Sequence, residues 1–461
     1  MQSNKNYQKI SKWLDNTLIF SGALLLGIWS VPHTIALRNI LLYLCIIVIL
    51  INIIFAKKHE KVFNYFILNK KNIGNLPPLI AILLLLTWLL IHLLYIGDHY
   101  AVQLAELSGT WLRAFVGAIV GFFIAYSLQS NNEKYIYIVA GLFSPFLFLL
   151  LEYIPSAIRL KSFFLPYYFY DSIFAFKTNA SLAGIIFIST IVSISIWSLH
   201  NKKQLLKNQL LFTLISVMIV LYGLAVIMET RNGFAICFSI ICLSFIYYVY
   251  YLLSNQNKPS KLEFLIILIV ILNLLALISI HLYISPQWKM FLADFRVAID
   301  TEKIINWQNT EFYGYPKNYL NIQVSPSTYE RVAWFKVGMM LIFSDMLGGG
   351  VLNNPFINIV KLYYPNAEVK STLSGWMDLI YSIGFPGFLL LIFSIIYPVI
   401  RAKNRINLGS YLTFTLGLVL LLSFSVSEFG SKHGVEILLF YAGFFAANTI
   451  ISCNNLRTPK I

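Results

Sequence analysis

Charge is scarce in this chain. Of its 461 residues only 11% are charged, while 58% are hydrophobic. Soluble domains run near 25% charged and 45–50% apolar. So little charge excludes a soluble enzyme, and so much apolar residue excludes a disordered chain. Cysteine is also rare. Cys45, Cys237 and Cys242 sit inside apolar runs and Cys453 lies near the C-terminus. Neither a disulfide framework nor a zinc spacing can be built from them. Acidic residues number 19 against 34 Lys and Arg, which leaves a net charge of +15. In a soluble protein that excess would point to nucleic acid. Here the basic residues fall mostly in short loops between apolar runs, which is the signature of membrane orientation, and no nucleic-acid partner is expected.

The apolar runs are long enough to cross a bilayer, which takes about 20 residues. Twelve segments qualify: Thr17–Val31, Asn39–Ala56, Leu79–Ile96, Leu112–Leu128, Tyr135–Tyr153, Ala180–Leu199, Leu210–Met228, Phe234–Leu253, Phe264–His281, Trp376–Ile400, Tyr411–Val426 and Val435–Ile451. The expected fold is an all-α polytopic membrane bundle. The lysine-bearing stretch Met1–Asp15 lacks a small-residue cleavage site, so an uncleaved first span is expected. Lys and Arg concentrate on alternate loops, such as Lys57, Lys58, Lys61, Lys70 and Lys71 after the second span. That pattern puts both termini in the cytoplasm. Residues 1–281 hold nine spans, 282–375 form one large outside loop, and 376–461 hold three spans and a tail. The second half has this loop and the first half has no counterpart, which weakens an inverted-repeat transporter.

Three clusters carry the ionisable residues that matter, because charge near membrane depth is costly and marks function by default. The first is Glu229-Thr-Arg-Asn-Gly233, which joins two spans almost without a loop. Arg231 either snorkels beside Glu229 or faces a ligand. The second is Ser325–Trp334. Ser327 or Thr328 caps a helix expected over Tyr329–Leu347, and Glu330 lies in its first turn. Capping leaves Arg331 unexplained, since a cation is disfavoured at a helix start. The third is Lys370–Asp378, followed by Gly384-Phe-Pro-Gly387. Asp378 is either a first-turn acid or a reactive carboxylate. Two arginines near the outer surface suit a lipid diphosphate, because guanidinium forks bind phosphate oxygens bidentately.

In this order the clusters resemble the O-antigen ligase and O-antigen polymerase superfamily. Thr230-Arg-Asn-Gly233 is similar to its short arginine motif. Tyr329-Glu-Arg-Val-Ala-Trp334 with Leu347-Gly-Gly-Gly350 is similar to its second arginine helix and glycine turn. Ser371–Asp378 with Gly384–Gly387 is similar to the segment re-entering the membrane. The resemblance implies a glycosyltransferase C-like bundle in the bacterial inner membrane with a periplasmic helical loop. It implies transfer of a glycan from undecaprenyl diphosphate, with no cofactor or metal. The acceptor would be a lipid A-core hydroxyl in a ligase, the favoured branch, or the next repeat in a polymerase. A lipid-linked glycan flippase is the alternative of another class. Arg231 and Arg331 would hold the donor diphosphate. The family's presumed general base, a histidine, is replaced by Leu373. The groups left to take a proton are His433, Asp378 and Glu330.

Overall fold

The computed structural model describes residues 2–56, 76–97, 99–129, 134–201, 207–254, 261–285, 287–403, 407–426 and 432–455. The basic loop from Lys57 to Lys71 therefore lies outside the described residues, as does the tail after Asn455. Each of the twelve expected spans is helical. The bundle begins with α1 (Gln2–Trp29), α2 (Ile35–Ala56) and α3 (Pro77–Ile91), and continues through α4 (Tyr100–Glu106), α5 (Leu112–Gln129) and α6 (Tyr135–Leu160). It then runs through α7 (Lys177–His200), α8 (Lys207–Tyr222), α9 (Arg231–Ser254) and α10 (Lys261–Ile284). Among the described residues nine helical segments are long and apolar enough to cross a membrane, or ten if the bent pair Ile271–Ile284 and Gln287–Ala298 is one span. Three expected spans are not among the nine. The first is mixed with polar residues at its start. The seventh is described as a shorter apolar helix over Phe212–Ile227, which closes in a π-helical turn, Gly223–Ile227. The ninth belongs to the bent pair.

The segment 282–375 is itself largely helical. It carries α11 (Gln287–Ala298), a single turn α12 (Thr310–Tyr313), α13 (Pro326–Leu341) and α14 (Pro355–Tyr363). Trp307, Tyr329, Val337, Phe356 and Val360 form a hydrophobic core of their own. Met377 and Tyr381 complete it, so the small core sits directly on the start of α15 (Gly375–Ala402). The last two helices are α16 (Leu408–Val426) and α17 (Lys432–Asn455).

In lipid every backbone donor and acceptor must find a partner inside the protein. The chain leaves helical geometry at Met346–Asn353, and many of the freed groups meet a partner. Gly349 and Gly350 donate to the carbonyls of Tyr381 and Ser382 at 2.9 and 2.7 Å, and Phe385 donates to Met346 at 2.9 Å. His92 Nε2 donates to the carbonyls of Leu347 and Gly348, at 3.0 and 2.9 Å. Gln103 donates to Gly349, and the Glu106 carboxylate accepts from Leu352 N and Asn353 N. Opposite this turn α15 kinks at Gly384, whose φ of +67° places it in the left-handed region. A Cβ there would stand 2.2 Å from the Leu347 carbonyl oxygen, so only glycine lets the two segments meet.

Elsewhere in the bundle α17 packs closely on α5. Glu436, fully buried on α17, accepts from Arg113 Nε at 2.7 Å and Trp29 Nε1 at 2.5 Å. Arg38 Nη1 lies 3.5 Å from the same carboxylate. This ties α1, α2 and α5 to α17. Removing one partner of a buried ion pair leaves the other charge uncompensated, at a cost of about 3–5 kcal/mol. Glu436→Ala is therefore expected to lower the thermal midpoint of the detergent-solubilised protein markedly. Glu436→Ala combined with Arg113→Ala is expected to recover part of that loss.

Candidate functional site

Three helix starts converge at one end of the bundle. They are the first turns of α7 at Lys177, of α9 at Arg231 and of α13 at Pro326. Each start carries partial positive charge from its unpaired N–H groups. Each would ordinarily repel a cation, yet Lys177, Arg231 and Arg331 all line one open cavity of about 410 Å³ between them. Phe169, Trp288 and Phe291 supply its apolar wall. The two guanidinium groups repel one another, while buried Asp294 attracts Arg231.

The local sequence explains how the cations are held. Gly223–Ile227 ends in Glu229, whose φ of +49° turns the chain sharply. Thr230 N then donates to the Leu224 carbonyl at 2.8 Å, and α9 starts at once with Arg231. Two residues on, Gly233 meets α7. A Cβ there would lie 2.4 Å from Ser181 Oγ, so glycine allows the approach that sets Lys177 beside Arg231. Glu229 pairs with Lys177 at 3.5 Å and accepts from Tyr167 N at 3.2 Å. Lys177 Nζ also sits 3.8 Å over the Phe169 ring. Of the two options for Arg231, pairing with Glu229 is not what is seen. Arg231 donates instead to the hydroxyls of Ser327 and Thr328.

That contact corrects the expected helix. Pro326 takes the first helical position, where its missing N–H costs nothing. The helix thus begins three residues earlier than expected, and Ser325 is the capping residue, without a side-chain cap bond. Ser325 N donates to Asp294 at 3.0 Å. The hydroxyls of Ser327 and Thr328 are left to face Arg231. The helix also ends earlier, at Leu341, because Asp345 accepts from Leu347 N and Gly348 N and shapes the glycine turn.

The three candidate bases fare differently. Asp378 does not line the cavity. Its carboxylate accepts from Ser371 Oγ at 2.7 Å, from Thr372 N at 2.9 Å and from Thr372 Oγ1 at 2.7 Å. It is buried and holds the Ser371–Ser374 turn, so its reading as a base gives way to one as a positioning group. Leu373 lies in that turn with φ of +57°. Glu330 is turned from the cavity and accepts from Tyr315 Oη at 2.5 Å. Burial pushes its carboxyl above the usual range, partly offset by Tyr315, Arg331 and Lys370. His433 lies in the first turn of α17, and its side chain is outside the described residues.

Lys177 and the clamp of His92, Gln103 and Glu106 escaped the sequence reading. Charged or polar residues within apolar runs are the signal that marks the clamp. Among the described residues no group of three His, Cys, Asp or Glu is placed to hold a metal ion.

Asp378→Asn replaces an acceptor oxygen with an amide that opposes the Thr372 donors. An unsatisfied buried group costs about 1–3 kcal/mol, so a fall in thermal midpoint is expected, with Asp378→Glu also impaired by its length. For Glu330 the sign runs the other way from a salt-bridged acid. A carboxyl raised by burial holds its proton more tightly when folded, so stability falls as pH rises through its folded pKa. Glu330→Gln keeps an acceptor for Tyr315 and should flatten the midpoint-against-pH curve from mildly acidic to neutral pH. No protein-family model matches this chain, and no curated protein matches it.

Proposed function

We propose that the protein is a membrane glycosyltransferase of the O-antigen ligase type. It moves a glycan from undecaprenyl diphosphate to a lipid A-core hydroxyl. On this reading it crosses the bacterial inner membrane twelve times, with both termini in the cytoplasm and the cavity facing the periplasm. The observation that carries the reading is the cavity lined by Lys177, Arg231 and Arg331 at three helix starts. A diphosphate matches it in charge and in its need for fixed donors. In the transfer, the acceptor oxygen attacks the anomeric carbon and the bond from that carbon to the diphosphate oxygen breaks. The diphosphate leaves with more charge than it had, and pre-placed cations stabilise that change without reorganising. The hydroxyl proton would pass to His433, since Glu330 is turned from the cavity and accepts from Tyr315. Asp378 is set aside because the turn it holds occupies its oxygens.

A deletion strain tests this through its lipopolysaccharide profile. The ladder of long chains should vanish while undecaprenyl-linked polymer accumulates. Wild type should restore the ladder. Arg231→Ala and Arg331→Ala, made at normal levels, should each restore about a hundredth or less, since losing one charged contact to a transition state costs about 3 kcal/mol. Lys177→Ala should be milder. A core carrying a single repeat would assign the protein to the polymerase branch instead. A normal ladder in the deletion strain, or full rescue by both arginine variants, would overturn the reading.

A further inference from the structure

The hydroxyl contacts that join α9 to α13 are open to any anion that enters the cationic cavity. Arg231 donates to Ser327 and Thr328, and all three residues line that cavity. An anion that takes up the guanidinium fork competes for those same donors. Ala333 and Val337 hold the body of α13 in the small core, well past its first turn. Another contact must fix the first turn when the cavity is occupied.

Asp294 on α11 is placed to do that. It is fully buried and is not part of the cavity lining, although Trp288 and Phe291, earlier on the same helix, are. Its two oxygens serve two segments. Oδ2 accepts at 3.0 Å from the backbone N of Ser325, which caps α13. Oδ1 accepts from buried Asn318 Nδ2 at 2.9 Å. Asn318 Oδ1 in turn accepts from Leu320 N and Ile322 N, at 3.0 and 3.3 Å. Asn318 N donates to the Ile322 carbonyl at 2.8 Å, and Val324 N to that of Pro316 at 3.0 Å. Residues 316–324 thus form a closed turn that delivers the chain to Ser325. One carboxylate grips both that turn and the helix start. A carboxylate at a helix start is also favoured by the partial positive charge there. The same carboxylate attracts Arg231 on α9.

We propose that Asp294 is a positioning residue. It holds the first turn of α13, and with it Arg331 one turn on, while an anion displaces the hydroxyls from Arg231. This rests on the cavity holding a diphosphate, and it does not need the transfer step. Asp294 lies outside the cavity lining, so its bonds stay in place whether the site is empty or full. The two arginines then keep one spacing as charge grows on the leaving diphosphate, which is where pre-placed groups act.

The test is hydrogen–deuterium exchange of the full chain in nanodiscs, with and without inorganic diphosphate. Mass spectrometry reads it on peptides across 325–331. In wild type these amides should exchange alike in both states. Asp294→Asn leaves one of the two bonds unmade, because its amide nitrogen opposes that of Asn318. Without diphosphate Arg231 still holds the hydroxyls, so exchange should stay within about twofold of wild type. With saturating diphosphate it should rise about tenfold. The swap of Asp294→Asn with Asn318→Asp remakes both bonds, and should bring exchange back to within about twofold of wild type. Should Asp294→Asn fail to fold, Asn318→Ala removes the same bond, leaves the carboxylate in place and should show the same dependence on diphosphate. Exchange that stays at the wild-type rate with diphosphate bound overturns the proposal. So does a swap that fails to restore slow exchange. A rise that is equal in both states also overturns it, because Asp294 would then support the fold and nothing more. If isothermal titration shows that wild type takes up no diphosphate, the reading of the cavity falls first and takes this role with it.

Discussion

The whole molecule depends on satisfying backbone groups where the chain abandons the helix at the edge of the membrane. Each unpaired N–H or C=O in lipid costs several kcal/mol, so irregular chain survives there only when side chains or neighbouring backbone replace the lost bonds. At Met346–Asn353 the replacements come from α15 and from His92, Gln103 and Glu106. They dock α11 to α14 on the bundle at a fixed height. That height sets α13 so that Ser327 and Thr328 meet Arg231. The cationic cavity is thus a consequence of polar bookkeeping some distance away.

The same demand explains the other departures from regular helix. The π-helical turn at Gly223–Ile227 leaves a carbonyl at Ala225, and His281 Nδ1 donates to it at 3.1 Å. The Trp88 indole N–H donates at 2.7 Å to Ile383, just before the kink at Gly384. Both of these irregularities take a side chain from another helix. Tertiary specificity in a greasy bundle comes from such pairs, because apolar contact with a helix is hardly different from apolar contact with lipid.

Much of the bundle was legible in the amino-acid sequence, since long apolar runs state where helices lie and every one of the twelve is helical. The clusters around Arg231 and Arg331 were legible as well, because charge is conspicuous in such a chain. Less visible was which partner each residue takes. Ser327 and Thr328 read as caps, but Pro326 moved the helix start and turned their hydroxyls to Arg231. Asp378 read as either a first-turn acid or a reactive carboxylate, and only the fold brings Ser371 and Thr372 onto its oxygens. Lys177 is distant in sequence from both arginines and sits at the end of an ordinary span. Its place beside them follows from the close approach at Gly233, which local pattern does not encode.

Lys177 also gives the cavity a threshold. It already has a counterion in Glu229, on the same cavity wall. An arriving anion must therefore compete with a carboxylate that is tethered, pre-oriented and present at high effective concentration. A singly charged visitor gains little by that exchange. An anion of higher valence meets the arginines at the same time and can draw Lys177 away from its partner. On the proposed function the ion pair would act as a valence filter, raising the charge an occupant must bring before all three cations close on it.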